Sequence, residues 1–165
     1  MLGSLPAALE FSLIGRLMTT SSSQDYAGDV SPRQAWEILV ADSNAQLVDV
    51  RTVAEWNFVG LPDLSGLGRQ AHCIEWQSFP AMARNPAFAD DAVKAVTAAG
   101  AGQDTPVLML CRSGARSRAA AMALAGLGFA RAYNIAGGFE GDPDGMRHRG
   151  LINGWKAEGL PWRQS

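Results

Sequence analysis

Two kinds of apolar segment alternate along the chain. Gln46–Val50, Ala71–Trp76, Pro106–Leu110 and Ala132–Ile135 are short, nearly continuous apolar runs. Their length and β-branched content suit strands covered on both faces of a parallel sheet. Longer, helix-like stretches lie among them. Ser31-Pro32-Arg33-Gln34 puts a hydroxyl at the N-cap, Pro at the first helical position and Gln where a capping box needs it. It predicts a helix to about Asp42, with Ala35, Trp36, Ile38, Leu39 and Val40 weighting one side. Asp90–Ala99, rich in Ala and Val, and Ser117–Leu127, dominated by Ala, Leu and Met, predict two more. This alternation implies an α/β fold, a central parallel sheet flanked by helices, with ligands expected at the carboxyl ends of the strands. Gly60–Gly68 reads as a loop too short to separate two domains, so a single domain is expected from Asp29 to Ser165.

With 165 residues, 47% of them hydrophobic, the chain can bury a substantial core without covalent staples. Its two cysteines, Cys73 and Cys111, therefore fit a reducing compartment better than a disulfide framework, and a cytoplasmic location is expected. The net charge of −2 is spread over a mixed surface with no basic block, which argues against nucleic-acid partners and anionic membranes. No apolar run reaches the ~20 residues of a membrane span. The segment from Met1 to about Gly28 is weakly helical through Leu2, Leu5, Leu9, Leu13, Ile14 and Leu17. Glu10 and the late Arg16 fit neither a secretory signal nor a transit peptide. We expect a tail outside the folded unit, with Met18 a natural alternative start.

The chemistry concentrates in Cys111-Arg112-Ser113-Gly114-Ala115-Arg116-Ser117, between an apolar strand and an Ala-rich helix. Successive backbone amides in such a turn form an anion-binding nest, and the following helix adds its positive end. Gly114 allows a backbone path that a side chain would obstruct. With Arg112 and Arg116 adding full charges, the loop favours the Cys111 thiolate, the attacking species.

These residues resemble the rhodanese family, whose active loop begins with Cys, usually has a basic residue next, and closes with Gly-x-Arg-Ser before a helix. The resemblance continues in Asp49-Val50-Arg51, Glu55-Trp56, Gly137-Gly138-Phe139, Asn153-Gly154-Trp155 and Gly159-Leu160-Pro161-Trp162, covering roughly Asp29 to Trp162. It implies the rhodanese-like fold and a sulfurtransferase that carries sulfur as a persulfide on Cys111. Arg112 and Arg116 become contacts for the substrate anion, and Ser113, Gly114, Ala115, Arg116 and Ser117 form the amide cradle. It implies a small anionic donor such as thiosulfate, a thiol or protein acceptor, and no metal or organic cofactor. One departure stands out: many family members continue after Glu-Trp with a short Gly-His-Ile-x-Gly-Ala segment. Here the longer Gly60–Gly68 loop replaces it, without the His, and is expected to reshape the pocket rim.

Two other functions compete. Cys-based phosphatases and arsenate reductases use a Cys-x5-Arg loop, but Ser117 stands at that arginine's position and Arg116 comes one residue early. A non-catalytic docking module of the same fold would not need Cys111 and both loop arginines. Beyond the loop, Cys73 reads as structural within its strand. The spacing of His72 and His148 matches no zinc pattern, so metal binding is not expected. Arg51 and Glu55, four apart, suggest an ion pair bracing the site. Trp155 and Trp162 are expected to pack as a lid on the core.

Overall fold

The computed structural model describes residues 25–165; the expected tail up to residue 24, including the alternative start at Met18, lies outside them. In chain order the elements are β1 (Asp29–Val30), α1 (Pro32–Ala41), β2 (Gln46–Asp49), α2 (Val53–Phe58), β3 (Leu61–Pro62), β4 (His72–Cys73), β5 (Gln77–Ser78), β6 (Ala83–Arg84), α3 (Phe88–Ala98), β7 (Val107–Leu110), α4 (Ala115–Ala125), β8 (Ala132–Ile135) and β9 (Trp162–Arg163). Five strands form one sheet in the order β1-β8-β7-β2-β4, and all four pairings are parallel. Both central strands, β2 and β7, are buried along their whole length, as their uninterrupted apolar character requires.

Side chains leave these strands alternately to two faces, so each face builds its own core. Val48, Val107 and Met109 point to one side, where they meet Phe88, Ala92 and Val96 of α3 and Ala120, Ala121 and Leu124 of α4. Leu47, Leu108 and Leu110 point to the other, against Ala35 and Leu39 of α1 together with Phe139, Trp155 and Leu160. The second layer is thus partly irregular chain, and Trp155 anchors it: its ring is fully buried, and its indole N–H donates to the Pro161 carbonyl at 2.7 Å. Trp162 lies outside this core, 40% exposed, on the two-stranded β3–β9 ribbon. Tyr26, expected in the tail, packs into the first core.

The capping box at the start of α1 forms as expected. Gln34 N–H donates to Ser31 Oγ at 3.1 Å, and Ser31 N–H donates to Gln34 Oε1 at 2.8 Å. The segment Ala71–Trp76 departs from its expectation. Only His72 and Cys73 pair with β2, at the sheet edge, and Cys73 is exposed. An edge strand has a neighbour on one side only, so apolar character there does not guarantee burial. Among the described residues, no helix is long and apolar enough to cross a membrane.

Candidate active site

Strand β7 delivers Cys111 to the carboxyl edge of the sheet, where the thiol is 1% exposed. The backbone then turns through Gly114, whose φ of 120° is rarely open to an L side chain, and α4 begins at Ala115. The helix therefore starts two residues before the expected Ser117, which places Arg116 and Ser117 on its first turn, close to its positive end. Two groups approach the sulfur: Gly114 N–H at 3.1 Å and Ser117 Oγ at 3.1 Å.

The turn after β8 clasps this loop. Phe139 N–H donates to the Cys111 carbonyl at 2.8 Å, and Glu140 and Gly141 N–H donate to the Arg112 carbonyl at 3.0 and 3.2 Å. Gly138, at φ 60°, lies so close that a Cβ there would stand 2.4 Å from the Cys111 carbonyl oxygen and 2.6 Å from the Arg112 carbonyl. Gly138 thus permits the close backbone approach that fixes the loop.

Helix α2 and its cap supply the facing wall and two residues, Thr52 and Glu55, to which the Cys111–Ser117 motif does not point. Thr52 and Glu55 make a second capping box, the signal in Thr52-Val53-Ala54-Glu55 that identifies this short helix. Glu55 also receives both terminal nitrogens of Arg116 at 2.8 Å. Burial alone pushes the Glu55 carboxyl up, but Arg116 and Thr52 overcome it and hold it at about 2; the same bond raises Arg116. Arg116 lines the cleft with its charge paired to Glu55. The expected Arg51–Glu55 ion pair is therefore absent. Arg51 lies before the helix, where four-residue spacing does not bring side chains together. It turns inward, fully buried, and binds Asp49 through Nε at 2.9 Å and Nη2 at 2.6 Å. Its guanidinium also lies 4.2 Å above the Phe139 ring.

These elements enclose a cleft of about 570 Å³. Thr52, Ala54, Glu55 and Val59 form one wall, Gln77, Phe79 and Met82 of the β5–β6 hairpin another, and Cys111, Arg112, Ser113, Ala115 and Arg116 the floor. Arg112 brings a second guanidinium. The Gly60–Gly68 loop contributes nothing to this rim: it pairs with β9 and is tied to α1 by Arg69, which donates to the Leu39, Asp42 and Ala45 carbonyls. Cys73 lines a separate cleft with Asp63, Arg69 and Arg163, and both thiols are free. Among the described residues, no three His, Cys, Asp or Glu side chains are grouped to hold a metal ion.

Residues 27–165 match the family model described as STR4 middle domain. The chain belongs to the STR4 middle-domain family. It is 34% identical over 135 residues to the uncharacterized protein RP600 of Rickettsia prowazekii, covering 82% of this chain and 96% of that one. Rhodanese-like domain-containing protein 4, chloroplastic, from Arabidopsis thaliana is 30% identical over 82% of this chain, which spans 25% of its length. The thiosulfate sulfurtransferase GlpE of Actinobacillus pleuropneumoniae is 26% identical, with 81% of this chain and 90% of GlpE covered. Among solved structures, Rv0390 from M. tuberculosis matches with a TM-score of 0.74 and 47% identity over 85% of this chain and 99% of that one. The polysulfide-sulfur transferase homodimer from Wolinella succinogenes shares the fold, at TM-score 0.53 and 22% identity over 88% of this chain and 83% of that one. The family member described here thus has a rhodanese-like fold and distant sulfurtransferase relatives.

Proposed function

We propose that this family member is a sulfurtransferase that carries sulfane sulfur as a persulfide on Cys111. One observation carries the reading: the Cys111 sulfur lies on the floor of a cleft, with Gly114 N–H and the Ser117 hydroxyl at 3.1 Å and the start of α4 beside it. Groups so placed stabilise a sulfur bearing negative charge, and the Gly114 N–H and the helix start are held in place by the backbone before the charge develops. The similarity to GlpE, named a thiosulfate sulfurtransferase, supports the same reading.

The Cys111 thiolate attacks the outer sulfur of an anionic donor such as thiosulfate. A new S–S bond to Cys111 forms as the donor's own S–S bond breaks, and sulfite leaves with that electron pair. The persulfide's terminal sulfur keeps one negative charge. A nucleophile, cyanide in an assay or a thiol in a cell, attacks that sulfur and leaves the thiolate as it began. Arg112, which makes no ion pair among the described residues, provides a charge for the donor, while Arg116, tied to Glu55, joins the floor to the α2 wall. The test is intact mass after incubation with thiosulfate. The native protein is expected to gain one sulfur atom, Cys111→Ser none, and cyanide to release the sulfur as thiocyanate. Failure to load from thiosulfate and from a persulfidated protein donor alike would favour a non-catalytic docking module.

A further inference from the structure

Beneath the sulfur a line of polar groups runs to the edge of the sheet, and neither Ser117 nor Asn134 lines the cleft. Ser117 Oγ is 3.1 Å from Cys111 Sγ and 2.6 Å from Asn134 Oδ1. Asn134 Nδ2 donates to Asp29 Oδ1 at 3.0 Å, and the Tyr26 hydroxyl donates to the same oxygen at 2.8 Å. Ser117 and Asn134 are 0% and 3% exposed, so water does not supply missing partners.

The hydrogen inventory fixes a direction along this line. An ionised carboxylate only accepts, so Asp29 turns the Asn134 amide nitrogen toward itself and the carbonyl toward Ser117. Ser117 has a single hydroxyl hydrogen, and the short contact to Asn134 takes it. Toward Cys111, Ser117 therefore presents a lone pair, which suits a protonated S–H. An anionic sulfur, thiolate or persulfide, needs that hydrogen instead. Asn134 and the sulfur compete for one hydrogen.

We propose that Asn134 is a positioning residue that, oriented by Asp29, holds the Ser117 hydrogen away from Cys111 while the thiol is protonated and yields it when the sulfur becomes anionic. Asn134 thereby sets the pH at which Cys111 becomes nucleophilic. The inference deepens the persulfide reading, yet its test needs no sulfur transfer. The charged groups on the elements packed around this line, Arg112, Arg116 and Glu55 at the cleft, the Asp49–Arg51 pair, Asp29 and Arg118 beside Tyr26, are all retained when residue 134 is replaced.

The experiment is the pH profile of Cys111 alkylation by iodoacetamide, followed by mass in a Cys73→Ser background so that one thiol reports. Asn134→Leu removes the competing acceptor while keeping the volume. Freed of the penalty for a bare buried carbonyl, Cys111 is expected to alkylate about tenfold faster well below the native midpoint. Ser117→Ala is expected to move the profile to higher pH and to abolish the effect of Asn134→Leu, since no hydrogen remains to compete for. An unchanged profile in Asn134→Leu, or an equal shift with and without Ser117, overturns the proposal. If Asn134→Leu does not fold, exposed Asp29 offers the same test. Asp29→Ala frees the amide to turn and is expected to shift the profile to lower pH by more than Asp29→Asn, which removes only the charge. Equal shifts in those two variants likewise overturn it.

Discussion

Replacing Glu55 by Gln leaves Arg116 without its carboxylate and α2 without the charged half of its capping box. The Arg116 and Glu55 side chains are 17% and 18% exposed, between surface pairs worth below about 1 kcal/mol and buried pairs whose breakage costs about 3–5 kcal/mol. A carboxyl held at about 2 against an ordinary 4.5 corresponds to about 3 kcal/mol before solvent screening. Discounted for the exposed part, the expected loss is about 2 kcal/mol at neutral pH. Because the folded-state value is depressed, the stabilisation is complete above the unfolded value of 4.5 and lost as pH falls toward about 2. The gap between native protein and Glu55→Gln should therefore be widest at pH 7 and shrink steadily as the carboxyl becomes protonated. Urea unfolding followed by tryptophan emission across this range measures that gap, and the difference between the two proteins cancels the other carboxylates. A gap that is absent at pH 7, or that stays constant into acid, would refute the reasoning.

Gly138→Ala drives a Cβ into the Cys111 and Arg112 carbonyls at positive φ and should lower stability by at least about 3 kcal/mol. Gly150→Ala, also at positive φ (85°) but with no atom within 4 Å, should cost about 1 kcal/mol, and urea midpoints of the two variants separate collision from backbone strain. Phe79 and Met82, 65% and 38% exposed, form the apolar hairpin wall of the cleft. Changing both to Ser should raise KM for an acceptor thiol with an apolar body by about five- to tenfold. Thiosulfate loading and the urea midpoint should stay close to native, and steady-state kinetics with a small and a bulky thiol tests this.

Local patterns made much of this molecule legible. The run Val107–Leu110 is a strand because its side chains suit burial on both faces, and Ser31-Pro32-Arg33-Gln34 starts a helix because its own atoms satisfy that helix's first amides. The loop's path was equally legible: a cysteine followed by Gly114 and an Ala-rich helix leads directly to a sulfur beside a backbone amide and the start of that helix. Thr52-Val53-Ala54-Glu55 carried a helix signal as clear as the first one, but α2 is only six residues long and shows too little periodicity to draw attention.

What the chain by itself determined were the strands β2, β7 and β8, part of β4, the helices α1, α3 and α4 with some ends shifted, and the Cys111–Ser117 loop between β7 and α4, all of which arise from neighbours in sequence. Tertiary structure decided everything that depends on distant segments meeting. Glu55 reaches Arg116, 61 residues away, and not Arg51, because Arg51 is committed to Asp49 inside the core. The cleft rim belongs to Phe79 and Met82, because the Gly60–Gly68 loop is occupied with β9 and α1. Asn134 meets Ser117 only because β8 lies beside β7 in the sheet. A charge or a hydrogen-bonding group chooses among all partners within a few ångströms, and only the fold determines which those are.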